Sequence, residues 1–131
     1  MNGTAEPTLQ ITLDRDPAEY EPAATLLLMC TAPATEARTI ELSVLWFTEG
    51  KGDEDLTVVY FREWNTPEDL REWTRPVALS LPLPLTPHSY NGVLLRIHWE
   101  ARLRMQPQHG AELRAQQRFR LGCVAPVSMP S

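Results

Sequence analysis

The chain of 131 residues and 14.9 kDa has the length of one domain of about 100–150 residues, enough to bury a core without disulfide or metal staples. A net charge of −5 and a pI near 5.1 argue against non-specific DNA or RNA binding. Twelve prolines argue against a helix bundle and for short elements joined by turns.

From the N-terminus, Met1 to Pro7 is polar and carries Glu6, without the basic and apolar regions of a secretory signal. Thr8–Leu13 alternates weakly, and Ala23–Cys30 is an apolar run of strand length, far shorter than the roughly 20 residues of a membrane span. Thr39–Thr48 carries Leu42, Val44 and Trp46 on one side, and Leu56–Arg62 is rich in β-branched and aromatic residues. Thr66-Pro67-Glu68-Asp69-Leu70-Arg71-Glu72-Trp73 breaks the rhythm. A capping threonine, proline at the first helical position and acids in the first turn predict a short helix near 67–73 whose Leu70 and Trp73 pack back as a lid.

Val77, Leu79, Leu81, Leu83 and Leu85 alternate with small residues and with Pro82 and Pro84, which lack a ladder donor; the segment reads as an edge strand or one that leaves its sheet. The clearest signal follows. Val93, Leu95, Ile97, Trp99, Ala101 and Leu103 alternate with polar residues, and after Gln106–Gly110 so do Leu113, Ala115, Phe119 and Leu121. Two such runs make an antiparallel hairpin with one wet and one dry face. About seven strands with turns between them predict an all-β, antiparallel, immunoglobulin-like sandwich, with Trp46, Trp99, Leu95, Ile97, Leu103 and Phe119 inside. The domain is expected over 1–124, with 125–131 as a flexible tail.

Cys30 and Trp46 are spaced like the first cysteine and core tryptophan of an antibody domain, but Leu121 stands where a tyrosine would precede the second cysteine, Cys123. Two cysteines are too few for a disulfide scaffold, so reduced thiols and a cytoplasmic location are expected, with a Cys30–Cys123 bridge as the alternative.

Three segments carry a family likeness. Tyr20-Glu21-Pro22 leads into the apolar run, with Ala23 where a Pro-Gly-Glu turn would place glycine. Ile40, Leu42, Val44 and Trp46 follow an alternating pattern. Leu81-Pro82-Leu83-Pro84-Leu85-Thr86-Pro87-His88-Ser89-Tyr90 then precedes Gly92 and the long strand Val93–Leu103. Together they resemble the arrestin-like β-sandwich. The resemblance implies a non-catalytic interaction or scaffold module. Members commonly carry two such sandwiches, and this chain has room for one.

No nucleophile elbow, zinc-binding helix or phosphate-cradling loop occurs, so neither an enzyme nor a cofactor is expected. His88, His98 and His109 are expected to be solvent-exposed, without metal-ligand spacing. Glu49-Gly50-Lys51-Gly52-Asp53-Glu54-Asp55 reads as a charged hairpin tip. Asp53, Glu54 and Asp55 are weak candidates for Ca²⁺, against which Lys51 counts, and a contact with a basic partner is the other role for this loop.

Every basic residue except Lys51 is arginine, and the final hairpin gathers Arg96, Arg102, Arg104, Arg114, Arg118 and Arg120 on its wet face. With Leu103 opposite Leu113, Arg102 faces Arg114. Like charges directly opposed are destabilising, so the cluster either borrows carboxylates from a neighbouring strand or serves an external anion. The planar guanidinium suits paired hydrogen bonds to carboxylates, which makes this face the expected dock for an acidic segment of a partner protein and not for a nucleic acid; no membrane span is expected. Exchanging Arg102, Arg114 and Arg118 for glutamine is then expected to leave the fold intact. Alternatives are a structural subunit joined through edge strands as a homo-oligomer, or a ligand-binding sandwich using the acidic loop.

Overall fold

The computed structural model describes residues 9–33, 36–52 and 54–122; Asp53, Cys123 and the expected tail at 125–131 lie outside them. The strands are β1 (Gln10–Leu13), β2 (Glu19–Tyr20), β3 (Thr25–Thr31), β4 (Ala37–Gly50), β5 (Leu56–Trp64), β6 (Val77–Pro82), β7 (Tyr90–Asn91), β8 (Leu95–Pro107) and β9 (Leu113–Leu121). One sheet has the order β1-β3-β6; the other runs β2-β9-β8-β4-β5, with β7 also paired to β8. Setting aside the two-residue β2 and β7, the strands are the seven expected. The fold is an all-β sandwich with one short helix, and one pairing departs from the antiparallel rule: β2 runs parallel to β9.

The period-two runs form strands because each has a sheet to cover. Leu26, Leu28 and Cys30 of β3 face Leu42, Val44, Trp99, Leu103 and Leu121 across the core, while Leu27 and Met29 turn outward. β6 is an edge strand, as its prolines demand. Beyond Pro82 the Leu83 N–H still bonds the Ala24 carbonyl at 2.9 Å, which keeps Leu83 buried, whereas Leu85 is exposed.

Thr66 caps the helical segment, its hydroxyl accepting from the Asp69 N–H at 3.1 Å. One α-turn, Pro67–Leu70 (α1), continues as a 3₁₀ turn over Arg71–Thr74. The segment lays Trp73 edge-on against Trp64 with ring centroids 5.0 Å apart, closing that end of the core.

Three expected core residues sit differently. β8 runs out past the cover of the small sheet, so Leu95 is exposed and Ile97 half-buried. β4 keeps its alternation against β8, so Val44 is buried in the core, Leu45 is buried on the opposite side of the sheet, and Trp46 is only half-buried against the core. Beside them Val59 is an extra, bulged residue of β5. Gly50 closes β4 at φ +152°, where a Cβ would lie 2.2 Å from the Leu94 carbonyl oxygen, so no other residue fits.

Ala23 takes φ +67°, the left-handed conformation of the glycine it replaces in the arrestin-like turn. Ala23→Gly is expected to raise stability by about 0.5–1 kcal/mol. Relief of left-handed strain, about 1–2 kcal/mol, exceeds the extra chain entropy of glycine, about 0.5–1 kcal/mol. An unchanged or lowered urea midpoint would show that the turn stores no such strain.

Candidate functional site

β8 and β9 pair with Leu103 opposite Ala115 and Met105 opposite Leu113, two residues from the expected register. β8 extends to Pro107 and buries Met105 completely, and the turn moves along the chain to 108–112, with Gly110 at φ +100°. A shift of two preserves every face, so the six arginines remain on the outer face. The facing pairs change: Arg104 opposes Arg114, Arg102 opposes Gln116, and Arg118 opposes Glu100.

Adding β4 and β5 gives transverse rows across the outer face. One row is Val58, Leu45, Glu100 and Arg118; a second is Phe61, Ser43, Arg102 and Gln116; a third is Glu63, Glu41, Arg104 and Arg114. Towards the hairpin tip, Leu56, Phe47 and His98 form another, and Glu49 lies beside Arg96. From Leu56 to Phe61 the β5 side of this face is apolar, with Glu63 beyond it, and the β8–β9 side carries the arginines.

Glu100 is at the centre and only 1% exposed. Arg102 Nε donates to one of its carboxylate oxygens, and Arg118 Nε to the other at 3.4 Å. Both guanidinium groups also lie over the Phe47 ring, 5.5 and 5.2 Å from its centroid. The stems of these arginines and the Phe47 ring can therefore shield Glu100 and Leu45 on a sheet face that no second layer covers among the described residues.

At the edges, Glu112 accepts from Arg104 Nη2 at 2.8 Å and from Arg114 Nε, separating the opposed like charges. The Arg114 bond first, then that of Arg104, holds the Glu112 carboxyl below its ordinary range, and Glu112 raises the pKa of Arg104 in turn. Arg104 also lies 3.5 Å from Glu41. Glu49 meets His98 Nε2 at 3.0 Å and Arg96 at 3.7 Å, and its pKa is lowered chiefly by the His98 hydrogen bond.

The face thus borrows carboxylates from its neighbour: Glu41 and Glu49 of β4 belong to it, as does the β5 strip Leu56, Val58 and Phe61. Sequence reading placed neither. Glu41 and Glu49 do share the alternation of Ser43 opposite Leu42 and Val44, a signal that could have assigned them to the outer face. Arg120 is on the same face at its far end, in register with Glu19 of β2.

His98 is a correction to the expected exposed histidine: its side chain is 21% exposed, tilted against Phe47 at 5.1 Å and joined to Glu49. His88 and His109 are exposed. Among the described residues no group of three or more His, Cys, Asp or Glu converges to hold a metal ion. Of the acidic loop, Glu54 and Asp55 are exposed, and the Asp55 N–H bonds the Thr48 hydroxyl at 2.7 Å. Cys30 carries a free thiol, fully buried, whose pKa burial pushes up to about 11; it is a neutral core residue at pH 7. No described helix is long and apolar enough to cross a membrane.

No family model matches the sequence, and no curated protein is similar to it. Among solved structures, Spo0M, a sporulation control protein from Bacillus subtilis, superposes with a TM-score of 0.57 at 12% identity, over 92% of this chain. The chain spans 51% of the length of that structure. At this identity the likeness concerns fold alone, and the fold it supports is the arrestin-like β-sandwich.

Proposed function

We propose that the protein is a non-catalytic interaction module of the cytosol whose outer sheet face binds a partner protein through a segment mixing acidic and apolar residues. The observation that carries this reading is the junction on one face of exposed apolar β5 side chains with the arginines of β8 and β9. Leu56, Val58 and Phe61 are 53%, 46% and 54% exposed, and the Arg104, Arg114 and Arg118 side chains 54%, 76% and 53%. An apolar patch rimmed by polar groups is the usual surface of a binding site, and arginine and aromatic residues are the side chains that most often anchor one.

The ion pairs refine the expected mode. Each of Arg96, Arg102, Arg104, Arg114 and Arg118 already faces a carboxylate, so an acidic ligand competes with internal partners. Arg104 and Arg114, on exposed side chains around Glu112, are the residues best able to exchange. The apolar strip supplies the remaining affinity. Titratable groups committed to ion pairs and a buried neutral Cys30 favour binding over catalysis; the free thiol suits a reducing compartment. Spo0M is a sporulation control protein, and a regulatory role of that kind is compatible with such a module.

Selection of random displayed peptides on the purified protein tests the reading. Enriched sequences are expected to combine Asp or Glu with large apolar residues and to bind more weakly as salt rises. Arg104→Gln with Arg114→Gln is expected to reduce their affinity at least about tenfold. Peptides without acids, or binding unchanged in the double variant, would refute the arginine face as the dock.

A further inference from the structure

We infer that β5 forms a symmetric, antiparallel edge-to-edge contact with a second copy of this chain. β5 ends the large sheet: β4 holds one edge, and among the described residues no strand pairs with the other. It is nine residues long, and its middle, Thr57 to Phe61, holds no charge and no proline, its one irregularity being the bulged Val59. An edge of that kind is a template for another strand.

The distribution of charge and side chains selects both the occupant and the direction. Asp55 lies just before β5 and Arg62 near its end. Antiparallel pairing of two copies about an axis between Val58 and Val59 sets Arg62 opposite Asp55 of the second copy, Phe61 opposite its Leu56, and Tyr60 opposite its Thr57. A parallel, in-register arrangement would instead set Arg62 beside Arg62.

The faces agree as well. Leu56 and Phe61 pair with Phe47 and Ser43 of the outer face, the bulge allowing residues five apart to share a side. Asp55 is bonded to Thr48 and Arg62 pairs with Leu42, so both belong to the inner-facing rows. The pairs Arg62–Asp55, Phe61–Leu56 and Tyr60–Thr57 therefore each meet on one face, as an isologous contact requires, and the bulged Val59 at the axis is the exception.

Room exists on that inner side. An open cleft of about 390 Å³ separates β5 from the Leu81–Pro84 segment, lined by Val44, Val59, Tyr60 and Leu83 among others, and receives inward side chains of an added strand. Arg62 stacks over the Trp64 ring, 4.6 Å from its centroid, and its carboxylate partner, Glu72, is 3.7 Å away with both side chains 44% exposed, an ion pair weak enough to exchange.

Sedimentation of the full chain from about 1 µM to about 1 mM tests the contact. The mass is expected to rise from 14.9 kDa towards twice that value. Arg62→Asp is expected to raise the dissociation constant at least about tenfold, because two symmetry-related pairs become repulsive. Adding Asp55→Arg restores the pairs in exchanged order and is expected to recover the dimer. A monomer throughout the range, or a dimer indifferent to Arg62→Asp and to Val58→Lys, overturns the inference. Should those variants unfold, amide exchange in the parent decides: protection of residues 57–61 must rise with concentration, and its absence refutes the contact. Arg104→Gln with Arg114→Gln leaves this dimer unchanged, so this contact and the peptide dock fail separately.

Discussion

Trp99→Ala is expected to cost about 3–5 kcal/mol, the range for deleting a fully buried aromatic side chain. The ring has no exposed surface. It lies beside Phe119, centroids 5.8 Å apart, and opposite Trp46 of β4. Its indole N–H donates to the Pro87 carbonyl at 2.7 Å, which ties the corner after β6 to the central strand. Truncation therefore opens a cavity and leaves a carbonyl without its donor. Trp99→Phe separates the two effects: the ring volume is largely kept, and losing the hydrogen bond is expected to cost about 1 kcal/mol. Leu95→Ala, four residues earlier on the same face but exposed, is expected to shift the denaturation midpoint little. Equal losses at 95 and 99 would mean that the small sheet covers β8 along its whole length.

That contrast shows where the alternation was legible and where it stopped. Period two in β8 and β9 assigns each side chain to a face correctly, because the dry face must be continuous for the sheet to pack. It carries no information about how far along β8 the other sheet reaches, which is why Leu95 and Ile97 read as core. Nor does it set register: a slip of two residues preserves the pattern, and the choice was made by Met105, which gains full burial when β8 runs to Pro107. The bulge at Val59 of β5 leaves no mark in the residue pattern, since Val58, Val59 and Tyr60 read as one uninterrupted β-prone run.

The arginine face was visible as a concentration of charge, but its balancing carboxylates were not. Glu41 and Glu49 lie on β4, more than forty residues from the arginines they meet, and only the β4–β8 pairing makes them neighbours. The left-handed turn at Ala23 was marked by the family pattern alone, because alanine itself gives no signal of positive φ.

The register also overturns the expectation that exchanging Arg102, Arg114 and Arg118 together spares the fold. Arg102 and Arg118 both bond Glu100, the one buried charged residue among those described. Converting both to glutamine leaves a carboxylate at 1% exposure without a cation, and the expected cost is about 3–5 kcal/mol. Arg114 belongs to a different group: its side chain is 76% exposed, and Arg114→Gln alone is expected to leave the midpoint within experimental error. A compensating change separates charge from shape. Adding Glu100→Leu to the Arg102→Gln, Arg118→Gln pair removes the stranded carboxylate and places an apolar side chain beside Leu45 and under Phe47. Most of the lost stability should then return, as when buried ion networks are replaced by apolar residues, giving strong non-additivity among three positions in contact. Urea denaturation of the four proteins reads the outcome. If the Arg102→Gln, Arg118→Gln protein is as stable as the parent, Glu100 does not depend on the two arginines, and both become free to serve a ligand. If it is destabilised and Glu100→Leu rescues it, Arg102 and Arg118 belong to the scaffold, and binding on this face falls to Arg104, Arg114 and the β5 strip.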